Sequence, residues 1–148
     1  MKETPIQRVC HIMARLRAPD GCPWDQEQNH HSLRFHAVEE VYELIDAIEM
    51  ENDGEMREEL GDLLLQVIFH CQLAHERKAF DFDTVCNELA DKLVRRHPHV
   101  FGDKTIEDVE GVWTQWEAIK RSEKKGTLEE RHSALDGIPR HLPALQYA

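Results

Sequence analysis

The chain has 148 residues, with 18 lysines and arginines against 29 aspartates and glutamates, a formal net charge of −11. That length fits one domain with a real hydrophobic core, and that charge argues against a nucleic-acid groove or an anionic membrane as the main partner. No apolar run approaches the roughly 20 residues needed to span a bilayer, and no apolar stretch of a signal peptide follows Met1 to Pro5, so a cytoplasmic location is expected.

Helical periodicity governs the chain from its start. Thr4-Pro5 reads as an N-cap followed by proline at the first helical position. Ile6, Val9, Met13 and Leu16 then mark one face of a short first helix. Residues 18–23, rich in proline and glycine, break it, and a loop is expected from there through Trp24-Asp25 to about His30. A second helix is expected from about Ser32 to Glu49, with Val38, Val41, Leu44, Ile45 and Ile48 as its apolar stripe. Asn52-Asp53-Gly54 closes it and turns the chain. A third helix, from about Glu55 to Arg77, is apolar on most sides in its middle and is expected to be the most buried.

Asp81 or Asp83 caps a fourth helix that ends near His97, because Pro98 disfavours helical geometry in the residue before it. Thr105 and Asp108 have the polar spacing of a fifth helix start, and Val109, Trp113, Trp116 and Ile119 follow. Residues 121–131 are charged and read as solvated. The tail from Ala134 to Leu145 is apolar but broken by prolines, so it reads either as an extended segment that docks on something or as a connector. Nothing alternates as a strand. The expected class is all-α, a bundle of about five helices, with one domain over residues 1–125 and a linker and tail over 126–148. Cys10, Cys22, Cys71 and Cys86 form no CxxC pair and read as reduced thiols.

The most informative residues are four carboxylates. Glu40 with Glu43, and Glu59 with Asp62, are i,i+3 pairs, each on one helix face. Both Glu43 with Glu59 and Glu40 with Asp62 centre on residue 51. An antiparallel hairpin would therefore set Glu43 opposite Glu59 and Glu40 opposite Asp62. Such a concentration of negative charge between helices calls for a cation. All the donors are hard oxygens, which suit Mg²⁺, Mn²⁺ or Ca²⁺ rather than zinc or copper. Glu39, one turn from Glu43, is placed to orient a ligand or polarise a metal-bound water. From spacing alone a solvated acidic helix face remains open. A di-iron bundle would need Glu-x-x-His motifs on core helices; Glu27-x-x-His30 and Glu129-x-x-His132 fall in expected loops.

With these residues in view, the chain resembles the MazG-type nucleoside triphosphate pyrophosphohydrolases. Glu39-Glu40-x-x-Glu43 with Glu59-x-x-Asp62 is similar to that family's acidic signature. Residues 21–25 (GCPWD), 58–64 (EELGDLL), 95–101 (RRHPHVF) and Trp116-Glu117-x-x-Lys120 extend the resemblance over nearly the whole chain. It implies an all-α, Mg²⁺-dependent enzyme, with Mn²⁺ as a substitute, that cleaves nucleoside triphosphates between the α and β phosphates. By similarity Glu40, Glu43, Glu59 and Asp62 bind the metal, and Glu39 is an outer ligand or positions the attacking water. The resemblance also implies a dimer-based homo-oligomer in which two subunits complete the bundle.

Lys92, Arg95 and Arg96 at one helix end, and Lys120 after the tryptophan helix, are candidate phosphate contacts; cations at a helix C-terminus are the alternative. Trp24 either stacks on a base or caps the core. Many members of the family carry two such domains in tandem, and the segment from His132 onward resembles the connector between them. A non-catalytic dimerisation or regulatory domain that retains metal or nucleotide binding is therefore the competing reading.

Overall fold

The structure is a computed structural model that describes residues 2–133 and 136–143. Its elements are α1 (Pro5–Leu16), α2 (Pro23–Glu27), α3 (His30–Leu33), α4 (His36–Glu49), α5 (Asp53–Glu76), α6 (Phe82–Arg96), α7 (Pro98–Phe101) and α8 (Val109–Lys124). No strand occurs among the described residues, and no helix among them is long and apolar enough to cross a membrane. The all-α class expected from periodicity is what the chain adopts. The chain divides into two compact units, residues 1–88 and 89–148.

In the first unit, Thr4 caps α1 through a reciprocal pair of hydrogen bonds with Gln7, and Pro5 occupies the first helical turn. Met13 of α1, Leu33 of α3, and Ile68, Phe69 and Leu73 of α5 form the core, with Ile6, Cys10, Leu16 and Phe82 packed around them. The expected loop after α1 holds two short helices instead. Pro23 and Asn29 explain both: proline starts α2, and the Asn29 side chain accepts from the amides of His31 and Ser32 at the start of α3. Arg34 and Phe35 form a turn, so the second helix expected from Ser32 is divided into α3 and α4.

Two features hold this loop down. A Cβ on Gly21 would lie 2.1 Å from the Leu16 carbonyl oxygen, so only glycine permits the return of the chain over the end of α1. Arg17, its side chain 9% exposed, binds Glu76 of α5 at 2.7 Å and donates to the carbonyls of Asp25 and Gln28.

The link between α4 and α5 comes two residues earlier than the sequence suggests. The amides of Glu51 and Asn52 close α4 onto the carbonyls of Ile48 and Ala47, with Glu51 in the left-handed region at φ 52°. Asn52 then caps α5, accepting from Gly54 and Glu55, so Asp53 and Gly54 are already helical. Burial on α5 is uneven. Gln66, Ile68, Phe69, Cys71, Leu73 and Ala74 are buried, whereas Leu60, Leu64 and Val67 are exposed. A Cβ on Gly61 would meet open space, so within the described residues this glycine serves no close helix approach.

In the second unit, His97 ends α6, but Pro98 at once begins the short α7, since proline is well suited to a first helical position. Asp108 caps α8 by accepting from Gly111, while Thr105 stays outside the helix. Helix α8 continues through Lys124, four residues into the stretch expected to be solvated. Trp116 is held by the edge of the His97 ring and by the Arg96 guanidinium over its face, whereas Trp113 is 65% exposed. The tail expectation at Ala134, Leu135, Ala144 and Leu145 lies outside the described residues.

Candidate metal centre

Helices α4 and α5 carry the acids, and they make the most extensive contact between any two elements. On α4, positions 36, 40, 43 and 47 share one face by their i,i+4,i+7,i+11 spacing; on α5, positions 59, 62, 66 and 70 do the same. The buried residue Ala47 shows that this face of α4 is the packed one. The opposite side of α4, with Val38, Val41, Ile45 and Ile48, is exposed. Glu40 thus lies half-buried on the packed side with Glu43 exposed beside it, while the apolar side chains face outward, unlike an ordinary surface helix.

Glu40, Glu43 and Glu59 each offer a carboxylate oxygen within 4.8 Å of the others. Burial, then the charges of Asp62, Glu43 and Glu59, hold the Glu40 carboxyl above its ordinary range. Burial, then Glu43, Asp62 and Glu58, do the same for Glu59. Among the charges, Asp62 acts most on Glu40 and Glu43 most on Glu59. Glu59 Oε2 is buried and has no hydrogen-bond partner. A buried carboxylate oxygen without a donor is costly, and no lysine or arginine ion pair reaches these acids among the described residues. The donor set, the mutual repulsion and the unpaired oxygen all suit a hard divalent cation.

The other candidate residues are distributed differently. Glu39 is exposed and pairs with His36 Nδ1 at 3.4 Å. Trp24, 53% exposed, meets His36 of α4 edge-on at 6.2 Å and Phe69 of α5 at 6.5 Å. It thus touches both acid-bearing helices and still leaves ring surface open. Arg95 and Arg96 belong to the second unit and bind one carboxylate, Glu123, at 2.5 and 2.8 Å. Hydrogen bonds from Arg96 and Arg95 pull the Glu123 carboxyl down to about 2. Lys120 pairs with Glu117 at 3.4 Å, and Lys92 is half-buried on α6. His36 and Gln66 did not stand out from the sequence. Carrying the mirror about residue 51 one step past Glu40 and Asp62 pairs these two positions.

The helical architecture and the clustered carboxylates define a class: an all-α protein with a group of acids on two packed helices whose donor set suits a divalent cation. Residues 28–101 match the MazG nucleotide pyrophosphohydrolase domain, and the chain belongs to the MazG family. It is 49% identical over 144 residues to the nucleoside triphosphate pyrophosphohydrolase of Escherichia coli K12, covering 97% of this chain and 54% of that protein. It is 47% identical over 150 residues to the nucleoside triphosphate pyrophosphohydrolase/pyrophosphatase MazG of Thermotoga maritima, covering 100% of this chain and 56% of that protein. The chain thus spans about half the length of these relatives. The solved structure of a mazG-related protein from Thermotoga maritima shares the fold, with a TM-score of 0.63 at 22% identity over 77% of this chain and 97% of that one.

Proposed function

We propose that this chain is an Mg²⁺-dependent nucleoside triphosphate pyrophosphohydrolase domain that cleaves between the α and β phosphates, releasing monophosphate and pyrophosphate. The carrying observation is the trio Glu40, Glu43 and Glu59, with the unpartnered Glu59 Oε2 inside it. Glu40, Glu43, Glu59 and Asp62 hold the ion, with Mn²⁺ as a substitute. When bound, Mg²⁺ neutralises the polyphosphate and makes water a better nucleophile. Glu39, exposed beside the trio, orients the attacking water and accepts its proton, and the His36 contact steadies its carboxylate. Trp24 offers its open face to the base. Arg95 and Arg96 reach phosphate by exchanging Glu123 for the substrate, a substitution of one anion for another; Lys92 and Lys120 assist.

The outward apolar face of α4, with Leu60, Leu64 and Val67 of α5, supports a second copy of the chain as its cover. In this reading α4 and α5 form an antiparallel hairpin and two hairpins complete one bundle. Residues 126–148 then act as a connector outside the catalytic domain of residues 1–125, and the protein works in the cytoplasm on free nucleotides, without nucleic acid or membrane. One observation favours a second reading. The chain spans about half of its curated relatives, which suits a regulatory or dimerisation domain that keeps metal or nucleotide binding but relies on another domain for turnover.

Incubation with each nucleoside triphosphate and Mg²⁺, followed by quantification of products, separates these readings. Monophosphate with pyrophosphate is the expected outcome. Diphosphate with inorganic phosphate would sink the α–β assignment, and binding without turnover would favour the regulatory domain. Ile45→Asp is expected to yield monomers in sedimentation; an unchanged mass would contradict the second-copy cover.

A further inference from the structure

A half-buried contact in the first unit, outside the carboxylate cluster, links two histidines forty positions apart. His30 Nδ1 of α3 and His70 Nδ1 of α5 lie 2.7 Å apart. The two ring planes differ by 3°, with centroids 5.0 Å apart. Parallel planes that carry atoms 2.7 Å apart are too close for face-to-face stacking. The rings therefore lie side by side in nearly one plane and share a single N–H···N hydrogen bond. One Nδ1 must carry the hydrogen and the other must not.

The proton count follows from that geometry. In the neutral pair one ring donates from Nδ1 and the other accepts there. A first added proton goes to the donor ring's Nε2 and leaves the bond intact. A second can only go to the accepting Nδ1. Two N–H groups then face each other between two cations, and the bond is lost. His30 Nε2 is buried without a partner, so charge placed on that ring is poorly solvated. His70 is held below the ordinary histidine range, first by burial and then by His30, which favours its neutral form.

Few charged groups interfere. From α1, Arg17 is committed to Glu76 and to the carbonyls of Asp25 and Gln28. From α3, His31 is exposed, and from the start of α4, His36 pairs with Glu39. One turn to either side of His70 on α5 stand the uncharged Gln66 and Ala74. Among the titratable groups of the described residues, His30 is the one that acts on His70.

We infer that His30 and His70 form an acid-sensitive latch that fastens α3 to α5. The short α3 is otherwise fixed by Leu33 in the core, by the Asn29 cap and by the Ser32 hydroxyl bonded to Gln28 and Asn29, while Arg17 holds the Gln28 carbonyl just before it. The latch is closed while the pair is neutral. Because the folded-state value of His70 is lowered, its stabilising effect is present above the ordinary histidine range and is lost as pH falls through and below it. Opening loosens α3 against α5, while Arg17 still holds the carbonyls of Asp25 and Gln28 in the Trp24 loop.

NMR of the ¹⁵N-labelled wild-type chain without metal or substrate tests this directly, so its failure leaves the hydrolase reading untouched. The expected result at pH 7.5 is a scalar coupling between the two Nδ1 nuclei across the hydrogen bond. That coupling should vanish as pH is lowered below the ordinary histidine range and the second proton binds. Amide exchange at Leu33, corrected for intrinsic rate, should then rise at least about tenfold relative to Ile68. In His70→Gln, which keeps a hydrogen-bonding group but does not titrate, Leu33 exchange should lose this pH dependence. Two histidines titrating independently in the ordinary range without coupling would overturn the latch. So would an acid response at Leu33 that persists in His70→Gln.

Discussion

Helix α5 meets α1 and α4 through contacts built in opposite ways. Against α1 it buries Ile68, Phe69 and Leu73 beside Met13, an ordinary apolar core. Against α4 it brings Glu59 and Asp62 to Glu40 and Glu43, while Val41, Ile45, Leu64 and Val67 stay exposed. The first contact is stable as it stands, because burial of apolar surface drives it. The second gathers like charges and leaves apolar side chains exposed. Under the proposed function, a cation between the acids and a second copy over the apolar side would complete it. The difference teaches that one helix can serve two purposes along its length. Its C-terminal half holds the unit together, and its N-terminal half sacrifices stability to concentrate charge.

Substitutions can break that contrast or sharpen it. The largest effect is expected from Asp62→Ala, which should lower Mg²⁺-dependent turnover at least about 1,000-fold. The metal-free chain should keep its helical circular dichroism and melt a few degrees higher, since one of several repelling charges is gone. A drop in metal-free melting temperature would mean that the acids are structural. Ile68→Ala, in the apolar contact, should cost about 3 kcal/mol in urea unfolding at every protein concentration. Ile45→Ala, on the outward face, should cost a comparable fraction only where the dimer is populated, and little in dilute chain.

In the second unit, Glu123 supplies a smaller, pH-dependent term. Its folded carboxyl lies near 2 against an ordinary 4.5, so its contribution is present above about pH 4.5 and is lost as pH falls toward 2. Glu123→Gln should cost roughly 1–2 kcal/mol at pH 7 and flatten that window; an unchanged acid profile would show the arginine pair to be idle. The smallest expected effect is Glu51→Gly, which should stabilise by up to about 1 kcal/mol by relieving the left-handed turn that joins the two helices. A loss would show that the Glu51 side chain has a role of its own.

Much of this was legible from local pattern. Thr4-Pro5 and the apolar spacing of α1 and α5 are short-range signals, and the structure repeats them. Pro98 was read as a stop, but it also starts α7, because a residue that ends one helix suits the first turn of the next. The loop after Gly21 hid two short helices whose caps, Cys22 and Asn29, follow no long periodic run. What the sequence could not reveal are pairings across distance. Arg17 with Glu76, Arg95 and Arg96 with Glu123, and His30 with His70 depend on how elements dock, and no spacing rule links them. The arginines were therefore legible as cations but not as cations already paired.

The central claim is that the clustered acids of α4 and α5 exist to hold a divalent cation. Calorimetric titration of the metal-free chain with Mn²⁺, beside Glu59→Gln, tests it most directly. Glu59→Gln preserves shape but removes the charge of the buried, unpartnered oxygen. The account predicts saturable binding with a raised melting temperature in the wild type, and at least about tenfold weaker binding in the variant. Equal binding by both, or none by the wild type, would contradict it.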